Sequence, residues 1–245
     1  MLRLRALVPV LAVALVATAG VTAAAADPPE PVVRTDKGVV RGVAHDGFRT
    51  FQGIPYAAPP VGRLRWRAPS PADSWTGVRD ATEPGSQCAQ LAPAYGGATT
   101  YDEDCLFLNV FAPNRPAKRK LPVMVWFHGG GNTTGSSSGY DASKLAVEGD
   151  VVVVTVNYRL GAIGWLAHPE LDGAYESGNF GLLDQQAALR WVHRNIAAFG
   201  GNRGNVTIFG ESAGSIDTCA QIASPAAAGL FHKAIPQSGS CAAGA

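Results

Sequence analysis

The sequence predicts an α/β protein whose central sheet is mainly parallel and is flanked by helices. Short, continuous apolar runs at 122–127 and 151–156 are typical of parallel strands buried on both faces. After them, a long helix is predicted by apolar residues that fall on one face: Leu182, Leu189, Val192, Ile196 and Phe199. Strands and helices therefore alternate along the chain, and no internal repeat interrupts them.

The other elements are predicted in chain order from shorter patterns. Short strands are indicated by apolar runs at 32–34, 39–43, 106–111, 206–209 and 233–235. The stretch 51–66, rich in Pro, Gly and aromatic residues, is predicted to be irregular and to pack on the body. The basic stretch 114–120 is predicted to be a solvated turn. Gly200 and Gly201 are expected to end the long helix, and a second helix is predicted over 213–223.

Composition excludes several classes of protein. The chain has 245 residues, a formal net charge of +1, 47% hydrophobic residues and 16% charged residues. It is too apolar and too weakly charged to be disordered, and it is long enough for one large domain with a substantial core. Because it has no excess of basic residues, nucleic acid is not expected as a partner.

The N-terminus has the pattern of a secretory signal peptide. Arg3 and Arg5 precede an uncharged apolar run at 6–21, and small residues lead up to Asp27. The alternative is a membrane anchor, but the run is short for a membrane span and ends in small residues. We therefore expect residues 1–26 to be removed near Ala26 and the protein to be secreted, extracellular or periplasmic, without a stable membrane anchor.

The stretch 210–214 is a G-x-S-x-G pentapeptide that places Ser212 between a predicted strand and a predicted helix. This is the context of a nucleophile elbow, a sharp strand-to-helix turn that projects the serine hydroxyl into an active site. The helix N-terminus offers backbone N–H groups to a developing anion. The alternative interpretation is an ordinary Gly/Ser turn.

A second glycine-rich element follows the predicted strand at 122–127. It reads His128, Gly129, Gly130 and Gly131, and such a loop brings backbone N–H groups close to a ligand. Oxyanion donors for acyl transfer are supplied in this way. A phosphate-binding loop is excluded because neither Gly-Lys-Ser/Thr nor G-x-G-x-x-G is present. His128 lies within the loop, so a structural role is expected for it.

Together these elements resemble the N-terminal half of a type-B carboxylesterase, the α/β-hydrolase family that includes the cholinesterases. Six stretches carry the resemblance in the family's order: FQGIPYAAPP at 51–60, EDCLFLNV at 103–110, VWFHGGG at 125–131, NYRLG at 157–161, GNFGLLDQ at 178–185 and FGESAG at 209–214. They imply an α/β-hydrolase fold over residues 27–245, cut off after the strand that follows the nucleophile helix.

The resemblance also implies roles for individual residues. Ser212 matches the acyl-accepting nucleophile, and the N–H groups of Gly130, Gly131 and Ala213 match the oxyanion hole. Glu211 matches an acidic residue beside the nucleophile, with an electrostatic role or a structural one. The implied substrate is a small carboxylic ester, and neither a metal nor an organic cofactor is implied.

The cysteines and one loop complete the comparison with the family. Cys88 and Cys105 match a disulfide-closed loop, whereas Cys219 and Cys241 are left over and their pairing stays open. The residue after the three glycines is Asn132, where the family usually has an aromatic residue. The shape of the acyl pocket is therefore expected to differ.

The acid and histidine of a catalytic triad have no match in this chain. Downstream of Ser212 there is one acid, Asp217, and one histidine, His232. Asp217 is expected to be carried away on the helix, and His232 is expected at the opposite edge of the sheet. We therefore expect this chain to be incomplete or inactive by itself. Two alternatives to an esterase stay open: a non-catalytic, cholinesterase-like binding protein and a lipase.

Overall fold

The computed structural model describes residues 30–92, 98–114, 119–172 and 177–242, so the expected signal peptide lies outside the described residues. Seven strands in this part of the chain form one large sheet: β3 (Val43–Ala44), β4 (Phe48–Pro55), β6 (Phe107–Pro113), β7 (Leu121–Phe127), β8 (Val152–Val156), β9 (Gly201–Glu211) and β10 (Lys233–Gln237). Three more form a small sheet: β1 (Val32–Arg34), β2 (Val39–Arg41) and β5 (Val78–Asp80).

The large sheet has the spatial order β10-β9-β7-β8-β6-β4-β3. The four strands from β10 to β8 are parallel to one another, whereas β6 pairs antiparallel with β8 and with β4, and β3 pairs antiparallel with β4. The predicted fold class is confirmed, with the refinement that the sheet is mixed. Two of the parallel strands, β7 and β8, are those that the buried apolar runs predict, and β7 and β9 carry the candidate site.

Four helices are described, and the two longest flank the parallel strands: α1 (Ser143–Gly149), α2 (Gly161–Trp165), α3 (Phe180–Asn195) and α4 (Ala213–Ala223). On α3 the predicted apolar face is confirmed, since Leu189 and Val192 are fully buried. Ile196 and Phe199 continue this face in a 3₁₀ turn, and Gly200 follows with a φ of 96°. The glycine ends the helix because this left-handed conformation favours a residue without Cβ.

Two predicted boundaries were wrong. The stretch 51–66 was expected to be irregular throughout, but β4 runs through its first five residues. A bulge between Phe51 and Ile54 accommodates Gly53, whose φ is 67°. The glycine and prolines that indicated irregular structure thus mark a bulged strand and its end. The strand β9 also begins earlier than expected, at Gly201.

Candidate active site

Ser212 occupies a strained turn between β9 and α4. Its φ is 57° and its ψ is −120°, a conformation that non-glycine residues rarely adopt. The two flanking glycines allow the close approach that this turn needs. A methyl group on Gly214 would lie 2.1 Å from the carbonyl oxygen of Phe127, and one on Gly210 would lie 2.3 Å from that of Gly214. The geometry is that of a nucleophile elbow.

The glycine loop, residues 128–131, follows β7 and lies directly against the elbow. A methyl group on Gly129 would be 3.1 Å from Cβ of Ser212 and 2.8 Å from the carbonyl oxygen of Glu211. Gly130 and Gly131 have φ values of 107° and 63°, so they adopt backbone conformations that glycine favours. The loop is therefore shaped by backbone packed on backbone.

Three backbone N–H groups in the glycine loop and at the start of α4 are candidates for an oxyanion hole. Within the described part of the chain, the N–H groups of Gly130, Gly131 and Ala213 donate no hydrogen bond. Ala213 is the first residue of α4, so its N–H has no partner within the helix. Such N–H groups at a helix start favour negative charge, as an oxyanion hole requires.

His128 is locked inside the fold. Its Nδ1–H donates to the carbonyl oxygen of Gly129 at 2.8 Å, and its ring stacks on that of Tyr158 at 4.4 Å. Burial lowers the pKa of His128 to about 4, so the ring is neutral at physiological pH. Its place agrees with the structural role expected from the sequence.

The two residues considered for the missing triad both form hydrogen bonds with groups other than the serine hydroxyl. Asp217 is buried in α4, where its carboxylate accepts hydrogen bonds from Asn132 and Gln185. His232 is exposed at the start of β10, and its Nδ1 accepts from the N–H of Val206. No described side chain forms a hydrogen bond with the hydroxyl of Ser212.

The three remaining histidines are also placed elsewhere. His45 bonds to the hydroxyl of Thr50, and His168 accepts from a backbone N–H in its own turn. His193 is exposed on α3, on the polar face that the sequence predicts. Glu211 is exposed, and one carboxylate oxygen would be 3.0 Å from a methyl group on Gly129, so the acid lies beside the glycine loop.

A buried ion pair supports the site and was missed from the sequence. Arg159 donates from Nε and Nη2 to the two carboxylate oxygens of Asp184, each at 2.7 Å, and both side chains are inaccessible to solvent. The pair joins the end of β8 to α3. Its two members belong to the stretches 157–161 and 178–185, two of the motifs that carry the family resemblance, but their spacing in the sequence does not reveal that they pair.

Buried asparagines were missed as well. Asn109 accepts from the N–H of Gly53 at 3.0 Å and donates to the hydroxyls of Ser137 and Thr155. Asn157 accepts from the N–H of Ser137. These bonds tie the loop that follows the glycine loop to the centre of the sheet, since buried polar groups need such partners.

Both pairs of cysteines form disulfides in the structure. Cys88 is joined to Cys105 across 17 residues of sequence, the pairing that the resemblance implies. Cys219 is joined to Cys241, which ties α4 to the segment after β10. The pairing that the sequence left open is therefore the second bridge.

Comparison with known proteins places this geometry in a family. The model of the Carboxylesterase family matches residues 29–245. The chain is 52% identical over 214 residues to the para-nitrobenzyl esterase of Bacillus subtilis, covering 85% of this chain and 43% of that protein. It is 46% identical to the cocaine esterase of Oryctolagus cuniculus, covering 86% of this chain and 42% of the relative.

Solved structures agree. A thermophilic PNB esterase is 50% identical and has a TM-score of 0.82, covering 86% of this chain and 45% of that structure. The carboxylesterase EST55 of Geobacillus stearothermophilus is 46% identical and has a TM-score of 0.78, covering 86% of this chain and 44% of that structure. The chain thus spans less than half the length of these relatives. With its elbow and glycine loop in the family's order, it belongs to the carboxylesterase family of α/β-hydrolases.

Proposed function

We propose that this chain supplies the nucleophile and the oxyanion hole of a secreted serine carboxylic ester hydrolase. The observation that carries the proposal is the backbone of Ser212, held in a strained turn with Gly129 against its Cβ. Strain of this kind persists where the surrounding structure enforces it, and it is common at active sites. The esterase names of the relatives support the same chemistry.

In the proposed reaction, the hydroxyl oxygen of Ser212 attacks the carbonyl carbon of a small carboxylic ester. The tetrahedral oxyanion accepts hydrogen bonds from the N–H groups of Gly130, Gly131 and Ala213. Collapse of the intermediate expels the alcohol and leaves an acyl-enzyme on the serine, which water then hydrolyses. Glu211, beside the glycine loop, adds negative charge near the site.

The reaction needs a general base, because a serine hydroxyl is a weak nucleophile until its proton is taken. None of the five histidines, all of which lie in the described part of the chain, bonds to Ser212. The proposal therefore requires the base and its acid to come from another polypeptide segment. Without a base, the oxyanion hole and substrate binding alone accelerate the reaction by only about 10³–10⁴-fold over the rate in water.

Secretion is part of the proposal. It is supported by the charged, apolar and small-residue pattern at 1–26 and by the two disulfides, since disulfides persist in oxidising compartments. In the part of the chain that the structure describes, no helix has the length and apolar character needed to cross a membrane.

The test is covalent labelling of the native secreted fraction with a fluorophosphonate probe, read by mass spectrometry. We expect the tag on the peptide that contains Ser212, and the size of the labelled band reports the length of the active polypeptide. Ser212→Ala should abolish labelling. Ser215→Ala is the matched control, because Ser215 is a buried serine of α4 that bonds to the carbonyl of Gly239. A native chain that is present and unlabelled would favour the non-catalytic binding protein.

A second measurement separates a soluble-ester hydrolase from a lipase. Turnover of short-chain p-nitrophenyl esters is followed below and above the concentration at which the substrate forms micelles. We expect the turnover rate to saturate with substrate concentration before micelles form. A sharp rise only above it would support a lipase that acts at interfaces.

A further inference from the structure

Asn132, the residue directly after the three glycines, is fixed at both its main chain and its side chain. Its φ is 56°, and its carbonyl oxygen accepts from the N–H of Gly161 at 2.7 Å. Its Nδ2 donates to Oδ1 of Asp217 at 3.0 Å. The N–H groups of Thr133 and Thr134 both donate to the carbonyl of Gly130, which closes a tight turn at the end of the glycine loop.

Asp217 receives this bond from inside α4, five residues after the nucleophile. Its side chain is 2% exposed, and its other oxygen accepts from Nε2 of Gln185 on α3 at 2.6 Å. Tyr158 donates its hydroxyl to the carbonyl of His128 at 2.5 Å, and its electrostatic interaction with Asp217 places it beside this carboxylate. The carboxylate is therefore held between α3, α4, the end of β8 and the glycine loop.

Among the described residues, the hydrogen bond from Asn132 to Asp217 is a side-chain connection between the two halves of the site. The glycine loop and the elbow otherwise meet through backbone packing at Gly129, and glycines have no side chain that could hold the loop. A loop with this much conformational freedom needs an external restraint to keep its N–H groups aimed at one point.

We propose that Asp217, acting through Asn132, is a positioning residue that holds the oxyanion loop in register with Ser212. This inference rests on the proposed function, because register with the serine has a kinetic consequence only if the serine is acylated. The residue that stands where the family usually has an aromatic is thus explained by its partner on the nucleophile helix.

The experiment is a double-mutant cycle in the native, full-length active polypeptide, with kcat and KM measured for p-nitrophenyl acetate. Asn132→Ala and Asp217→Ala should each lower kcat by up to about 100-fold with KM little changed, because small displacements of catalytic groups act on the transition state. The kcat of the double variant should be no lower than that of the less active single variant, because both substitutions remove the same bond. Asp217→Asn keeps an acceptor for Asn132 and should restore most of kcat.

Gln221→Leu is the matched control. It removes a buried amide of α4 that bonds to Gln185 and to the carbonyl of Leu182 but not to Asn132. We expect it to lower the unfolding midpoint and leave kcat unchanged. If Asn132→Ala or Asp217→Ala folds and keeps the wild-type kcat, or if the effects of the two alanine variants add, the positioning role is overturned while the esterase stands. If wild-type Ser212 neither turns over substrate nor takes the fluorophosphonate, both proposals are overturned.

Discussion

The site and the region that supports it keep their shape by different means. At the site, backbone packs directly on backbone, and a methyl group on Gly214 would lie 2.1 Å from a carbonyl oxygen of β7. In the supporting region, which joins β8, β6 and α3, buried side chains hold the segments: the ion pair of Arg159 with Asp184, and the hydrogen bonds of Asn109. Substitutions at the site should therefore affect rate, and those in the support should affect stability.

The largest effect on stability is expected from Arg159→Met. Removing one partner leaves Asp184 buried and uncompensated, which destabilises a protein by about 3–5 kcal/mol. Urea unfolding measures the change. Arg194→Met is the matched control, because its ion pair with Asp36 is largely exposed and contributes about 1 kcal/mol or less. Equal losses of unfolding free energy in the two variants would contradict the claim that burial makes the Arg159–Asp184 pair important for stability.

Gly129→Ala, in contrast to Arg159→Met, should lower the reaction rate and leave stability almost unchanged. The added methyl meets the carbonyl of Glu211 at 2.8 Å and Cβ of Ser212 at 3.1 Å, so the loop must shift and its donors leave the oxyanion. Loss of one donor lowers kcat by about 10²–10³-fold, and we expect little change in the unfolding midpoint.

Gly47→Ala is the control for backbone conformation. Gly47 also has a positive φ, of 80°, but a methyl group there meets nothing within 4 Å. Its cost is limited to the left-handed conformation, about 1–2 kcal/mol of stability. Its kcat should match that of the wild type, and a comparable loss of rate in both variants would refute the local explanation.

The disulfide between Cys88 and Cys105 is a covalent contribution to stability that does not involve Ser212 or the glycine loop. Replacing both cysteines with serine opens a loop of 17 residues and should destabilise the fold by about 3 kcal/mol. Fluorophosphonate labelling of the folded fraction should persist, because the loop glycines are untouched. Loss of labelling below the unfolding midpoint would indicate that the bridge shapes the site itself.

The last expected effect is a pH-dependent one at Asp217. Burial raises the pKa of Asp217 from 3.8 to about 6, and the hydrogen bonds from Asn132 and Gln185 offset this only in part. A raised carboxyl pKa stabilises the fold below pH 3.8, and this contribution is lost as pH rises through about 6. The loss amounts to at most about 3 kcal/mol.

Urea unfolding of the wild type and Asp217→Asn across pH 4–7.5 isolates this contribution. The wild type should lose stability relative to the variant as pH rises, with a plateau above pH 6. Tyr158 does not titrate in this window, because burial raises its pKa well above 10. A constant difference between the two proteins would contradict a titrating Asp217.

Much of the fold was predictable from the sequence, because buried parallel strands require continuous apolar runs such as 151–156, and the helix face of Leu189 and Val192 follows the helical period. The elbow was predictable because the turn demands glycines on both sides of Ser212. The strand β4 was not, since its bulge at Gly53 resembles a loop in composition.

The side-chain links within the site could not be predicted. Asn132 and Asp217 are 85 positions apart in sequence, and their bond depends on how the loop after β7 folds over α4. The pairing of Arg159 with Asp184 has the same origin, since sequence alone does not give the distance between residues on different elements. Local sequence patterns predicted the strands and helices, whereas the side-chain contacts between them are visible only in the three-dimensional structure.

The central claim is that the N–H groups of the glycine loop and of α4 converge on the oxyanion formed at Ser212. A crystal structure of the native polypeptide, phosphonylated at this serine, tests it most directly. We predict that the phosphoryl oxygen lies about 2.7–3.1 Å from the N–H nitrogens of Gly130, Gly131 and Ala213. A phosphoryl oxygen turned to solvent, with these N–H groups bonded elsewhere, would contradict the account.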